Sequence, residues 1–275
     1  MSDQDEVPVL EITGLRLSYY SRAGEIPAVM DFDLKIGRGE SVGLVGESGC
    51  GKSTVANGVM RYMGNNGGIV GGTIKFKGAA PAAKKLSVNK DVKVCGKNPI
   101  MDNSILVKGG GLANVVITIK GAKGGKFPKS MTKATVDQNG CVYNPRVTIM
   151  KAGTKLIVKN SDKILHNVHT HPAKTGNKVA NIAQPKFKKK LKMSKRYFKK
   201  PGIVKVTCDV HDWMTGWVVA TKSPFVAVSG DGGKFKISGV PDGSYQVEIW
   251  HEKLGTKKVK VTVKGDTTLD ASLGS

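Results

Sequence analysis

Cys208-Asp209-Val210-His211-Asp212-Trp213-Met214 sets a thiolate, an imidazole and a thioether within seven positions, and His166 in Ile164-Leu165-His166-Asn167 supplies a second imidazole. Two His, one Cys and one Met are the donor set of a mononuclear electron-transfer copper site, because polarizable sulfur and imidazole select copper over Mg²⁺ or Ca²⁺. The spacing fits a loop between two strands. Cys208 ends an alternating strand, His211 follows after two residues, and Met214 after two more. Zinc is the competing metal, through His166, His169, His171 and Cys208, but it would leave Met214 without a role. His169 and His171 are further candidates, for the surroundings of the copper site or for a separate surface site. Trp213 and Trp217 are expected to cover the metal from water.

A different chemistry lies near the N-terminus. Gly46-Glu47-Ser48-Gly49-Cys50-Gly51-Lys52-Ser53-Thr54 follows a short apolar run and precedes a helix-like stretch from Lys52 to about Met63. Glycines in this pattern turn backbone N–H groups toward phosphate oxygens, and the helix N-terminus adds positive potential. Lys52 would reach the outer phosphates, and the Ser53 hydroxyl would hold Mg²⁺.

The elements that must position these residues differ between the two regions. Val9–Leu17 and Ala28–Ile36 read as strands, and Glu40–Val45 as a third, short and buried. Gly64 to Gly68 reads as a linker, which places a boundary near Asn66. From Thr73 onward, short apolar or alternating runs separated by Gly, Asn, Asp and Lys predict an all-β sandwich or Greek-key barrel. The 275-residue chain carries a net charge of +23. Its Lys residues are spread along the strands, with one dense run from Lys186 to Lys200. This reads as a solvated basic face that could dock an acidic redox partner; nucleic acid is not expected. No apolar run is long enough to span a membrane. No export leader is read after the acidic first residues. The four Cys divide most simply into one ligand (Cys208), one disulfide (Cys95–Cys141) and one spare thiol (Cys50). That disulfide would need an oxidising compartment.

Leu44 to Thr54, preceded by Ile36-Gly37-Arg38-Gly39-Glu40, resembles the start of an ABC-transporter ATPase of the peptide-importer group, over residues 7 to 76. The resemblance implies ATP and Mg²⁺ at Gly46 to Thr54, Tyr19 stacked on adenine, and a permease partner if this piece is functional. The later motifs of that family, which supply the carboxylates for Mg²⁺ and water, are not recognised downstream, so hydrolysis is not expected. Residues 73–275 resemble exported bacterial methylamine-utilisation/plastocyanin-like proteins, which pair a cupredoxin with a carboxypeptidase-regulatory-like β-sandwich. The phrases that carry it include Val94-Cys95-Gly96-Lys97, Gly140-Cys141-Val142-Tyr143, His166-Asn167-Val168-His169 and Cys208-Asp209-Val210-His211. The two-and-two ligand spacing is similar to the amicyanin type. This resemblance implies copper held by His166, Cys208, His211 and Met214, single-electron transfer or copper storage, and a periplasmic location.

The expectation is therefore a mainly β chain. Residues 1–66 form a truncated P-loop fragment of α/β character. Residues 67–221 form a cupredoxin-like Greek-key sandwich, and residues 222–275 a small carboxypeptidase-regulatory-like sandwich. The alternative is an ATP-binding subunit fragment of a peptide importer fused to a β-rich domain, cytoplasmic if the N-terminus is genuine.

Overall fold

The computed structural model describes residues 8–21, 24–64, 67–172 and 175–274. The chain is mainly β and divides into two compact units, residues 1–66 and 67–275.

In the first unit, Leu10–Ser21 and Gly24–Ile36 pair as an antiparallel hairpin, from Leu10 opposite Ile36 to Ser21 opposite Gly24. The helix Lys52–Gly64 follows the phosphate-loop sequence. The expected third strand, Glu40–Val45, is not formed. The segment has no regular secondary structure and is exposed, and Val45 is 96% accessible. A short apolar strand is stable only between neighbours that take up its hydrogen bonds and side chains, and the described hairpin gives it neither. Among the residues of this unit whose burial is described, Val55 is the one buried apolar side chain.

Among the described residues, the second unit holds four sheets. Lys190–Met193, Leu156–Asn160, Thr135–Gln138 and Tyr143–Asn144 form one, in that order. Asn181–Gln184, His166–His171, Gly202–Thr207, Thr215–Thr221 and Val147–Lys151 form the next. Their inner faces enclose Met150, Leu156, Val158, Val168, Met193, Phe198, Val204 and Val218. The alternation that specifies this is plain at Lys190–Met193, where Leu191 and Met193 are buried and both lysines exposed. A second sandwich is built around Val70, Ile74, Leu112, Ile117, Phe225, Val247, Ile249 and Val263.

That second sandwich does not begin at residue 222. Gly67–Phe76 pairs with Lys234–Pro241, Thr267–Thr268 and Ala271–Leu273, and Val116–Lys120 pairs with Val226–Val228 and Gly243–His251. The expected division at 221/222 is thus corrected: residues 67–76 and 107–120 belong to the C-terminal sheets, and the strand His166–His171 lies in sequence between these residues and the rest of those sheets. Gly67 and Gly68, read as linker, are inside a strand. A Cβ on Gly68 would lie 1.5 Å from the Gly265 carbonyl oxygen, and one on Gly72 would lie 2.2 Å from that of Leu269. Glycine is required there because the backbones cross without room for a side chain.

The two sandwiches meet through Val116, Met131, Val147, Val219 and Val226, with Trp217 edge-on to Trp250 at 5.2 Å. At this seam Arg146 makes a bidentate pair with Glu252, at 2.5 and 2.9 Å, and the Glu252 side chain is 4% exposed. Removing the guanidinium strands a buried carboxylate, so Arg146→Ala should cost about 3 kcal/mol in chemical denaturation, and Arg146→Met with Glu252→Leu should recover most of it. A loss under about 1 kcal/mol, the range of exposed pairs, would show that the pair does not hold the seam.

Candidate functional site

His166 opens the strand His166–His171, and Cys208 directly follows its neighbour Gly202–Thr207. The chain then turns through His211 to Met214. The turn is closed by Met214 N–H donating to the His211 carbonyl (3.0 Å) and Cys208 N–H to that of Met214 (3.4 Å). His166, Cys208, His211 and Met214 are all buried, and the ligand atoms of the first three lie within 4.8 Å of one another. Sulfur stands 3.9 Å from His166 Nδ1 and 3.7 Å from His211 Nδ1, and the two Nδ1 atoms are 3.1 Å apart.

The surrounding hydrogen bonds fix both rings. His166 Nε2 lies 2.9 Å from an Asp162 oxygen, and His211 Nε2 lies 2.9 Å from one of Asp91. A carboxylate accepts only, so each outer nitrogen carries hydrogen and each inner Nδ1 of a neutral ring is a lone pair. Two lone pairs at this distance repel unless a cation stands between or beside them. Without a metal that cation is a proton on His166. Burial pulls its pKa down, but Asp162 and the Cys208 sulfur outweigh it and carry it up to about 9. Burial likewise opposes ionisation of Cys208, yet His166 and the Asn167 N–H hold its pKa below the usual thiol value. Burial and the neighbouring His166 lower His211, against Asp91.

Asn167 joins the two strands behind the sulfur. Its N–H donates to Cys208 Sγ (3.4 Å), and its side-chain oxygen accepts the Asp209 N–H (2.5 Å). The Tyr143 hydroxyl donates to the Asn167 carbonyl at 2.7 Å. Trp213 lies against His211 and donates its indole N–H to the Cys141 carbonyl. Trp217 does not cover the site; it lies in the seam against Trp250, because alternation along Thr215–Thr221 sends it to the outer face. His169 and His171 are also outside the cluster. They stack on the exposed face, with His169 on Asp209 and His171 on Thr207. Cys95 and Cys141 form a disulfide.

Asp91 and Asp162, the partners of the two outer imidazole nitrogens, are missed by sequence reasoning. Asp162 stands only four residues before His166. Asp91 has no local signal, since its partner is 120 positions away.

In the first unit, Gly46, Gly49 and Gly51 adopt positive φ. A Cβ on Gly51 would press on the Ala28 carbonyl at 2.8 Å. Lys52 folds back over the loop and donates to the Gly46 and Glu47 carbonyls at 2.6 and 2.5 Å. It also lies 3.2 Å from Cys50 Sγ, and this contact lowers the thiol pKa. A cleft of about 560 Å³ is lined by Tyr19, Ile26, Ser48, Lys52, Ser53 and Thr54, with Tyr19 hydrogen-bonded to Thr54.

The ABC transporter family model matches residues 29–190, more than half of the chain, and the chain belongs to that family. The resemblance read from motifs ends near residue 76; the family model carries the match into the sandwich that holds the histidines. A putative peptide import ATP-binding protein of Brucella ovis is 44% identical over 72 residues, 26% of this chain and 21% of that protein. The oligopeptide transport ATP-binding protein OppF of Bacillus subtilis is 34% identical over 92 residues, 33% of this chain and 30% of that one. The chain thus spans a fifth to a third of the length of these relatives. Among solved structures, an amicyanin variant is 21% identical, covering 38% of this chain and 98% of that one, with a TM-score of 0.29.

Proposed function

We propose that the β unit is a copper-binding electron carrier or copper store, in which His166, Cys208, His211 and Met214 would hold the metal. The observation that carries this reading is the buried convergence of two Nδ1 atoms on one sulfur, with both outer nitrogens committed to carboxylates. Copper in such a donor set would supply a single-electron couple. The chain's own residues orient the imidazoles, favour ionisation of the thiol and exclude water. In this reading the sandwich around the site is cupredoxin-like and the C-terminal sandwich carboxypeptidase-regulatory-like, and an acidic redox partner would meet the basic surface. The disulfide suits an oxidising compartment. The comparisons point to an ATP-binding subunit and lend the periplasmic expectation no support.

The second reading is nucleotide binding by residues 1–66, favoured by the family match and by the glycine-lined loop. Lys52, Ser53 and the loop N–H groups would hold ATP and Mg²⁺, and Tyr19 lines the same cleft. As part of a peptide importer it would also need a permease. We propose binding rather than turnover, because among the described residues of this unit Val55 is the one buried apolar side chain, and turnover needs further positioned groups.

Adding Cu(II) to the full chain should give an intense visible thiolate-to-copper band, lost in Cys208→Ser and shifted in Met214→Leu. A folded sample without the band would end the copper reading. A charged hydrogen bond to phosphate is worth ~1.5–3 kcal/mol, so Lys52→Ala should weaken ATP binding about 10- to 100-fold. Equal affinity in an ATP titration would remove the nucleotide reading.

A further inference from the structure

Resting on the copper-site reading, we propose that the disulfide Cys95–Cys141 clamps Asp91, the outer carboxylate on His211, and that Asp91 holds His211 only while the disulfide is closed. The two half-cystines lie 46 positions apart, and each sits in the turn that orients one imidazole.

On one side, Asp91 stands immediately before the short helix Val92–Cys95, with a left-handed backbone at φ 49°. Its main-chain carbonyl accepts the N–H groups of Val94 and Cys95 at 2.8 and 2.9 Å, while its side chain holds His211 Nε2. Moving Cys95 therefore moves Asp91. On the other side, Cys141 is also left-handed, at φ 56°. The N–H groups of Gly140 and Cys141 donate to the Asp162 carboxylate at 2.9 and 3.0 Å, and the same carboxylate holds His166 Nε2.

The two sides are not equally secure. Asp162 lies between the strands Leu156–Asn160 and His166–His171, inside the sandwich. Asp91 lies in the irregular segment 77–106. Apart from its one-turn helix, that segment has one β-bridge, Lys85 to Met101. Between residues 79 and 103, Cys95 and Ile100 are its buried apolar side chains. Leu86, Val88 and Val94 only lean on the core. Opening the disulfide leaves Asp91 on a weakly anchored segment and His166 almost untouched. Loss of a carboxylate partner to a ligating His lowers metal affinity by about 10- to 100-fold. Asp91 is thus a positioning residue, and the disulfide is what makes it one.

The test uses the full chain carrying Cys50→Ser, to remove the exposed thiol, titrated with Co(II), whose absorbance reports thiolate ligation without a change of oxidation state. Cys95→Ser with Cys141→Ser should weaken Co(II) about 10- to 100-fold, as should Asp91→Ala with the disulfide intact. Combining all three changes should add no more than about twofold, because they remove one shared restraint. Unchanged affinity in either variant, or losses that multiply in the combination, would overturn the proposal. Should the serine variant fail to fold by circular dichroism, Asp91→Asn carries the test. That change keeps the disulfide and the shape but gives up the carboxylate. Weaker Co(II) binding supports the proposal and unchanged binding overturns it. No Co(II) binding by the Cys50→Ser chain itself would instead defeat the metal-site reading on which this rests.

Discussion

His166 Nδ1 and His211 Nδ1 face each other across 3.1 Å of buried space, with the Cys208 sulfur beside both. Each ring could escape this opposition by turning, and neither does, because Asp162 and Asp91 hold the outer nitrogens. The sandwich around them removes the remaining freedom. Antiparallel pairing of His166–His171 with Gly202–Thr207 sets the strand that carries His166 beside the one that ends at Cys208. Asn167 and Tyr143 tie those strands together behind the sulfur. The core of Leu156, Val168, Val206 and Met214 keeps water out. A buried polar cluster of this kind is costly unless every member is satisfied. Here the inward nitrogens are satisfied by a cation, a proton in the bare protein and a metal in the proposed state.

The phosphate loop is organised in the opposite way. Its geometry is local: positive-φ glycines, a helix start, and a lysine that bonds back to the loop carbonyls. Such a loop can take shape on a small scaffold because its restraints lie within a few residues. The strand that should support it, Glu40–Val45, is exposed. The family match and the loop both support the nucleotide-binding reading proposed above. The wealth of long-range packing in the β unit explains why the more completely built site lies there.

How much of this was legible beforehand follows the range of the interactions. The hairpin, the P-loop helix and the alternating strands came through, since periodicity and glycine placement act over a few residues. The convergence of His166, Cys208 and His211 was legible because chemistry and loop spacing coincide. The failures share one cause. The buried strand at Glu40–Val45, the linker at Gly67–Gly68, the boundary at 221/222 and the cover by Trp217 each depended on which distant segment packs alongside.

Sequence alone determined the donor types, the turn that brings His211 and Met214 round from Cys208, and the phosphate-loop conformation, all of them properties of short segments. Tertiary structure decided that residues 67–76 and 107–120 join the C-terminal sheets, where glycines let backbones cross. It also decided that Asp91 reaches His211 across 120 positions. Pairing at that separation is selected by the packing of whole sheets, and no local pattern of residues encodes it.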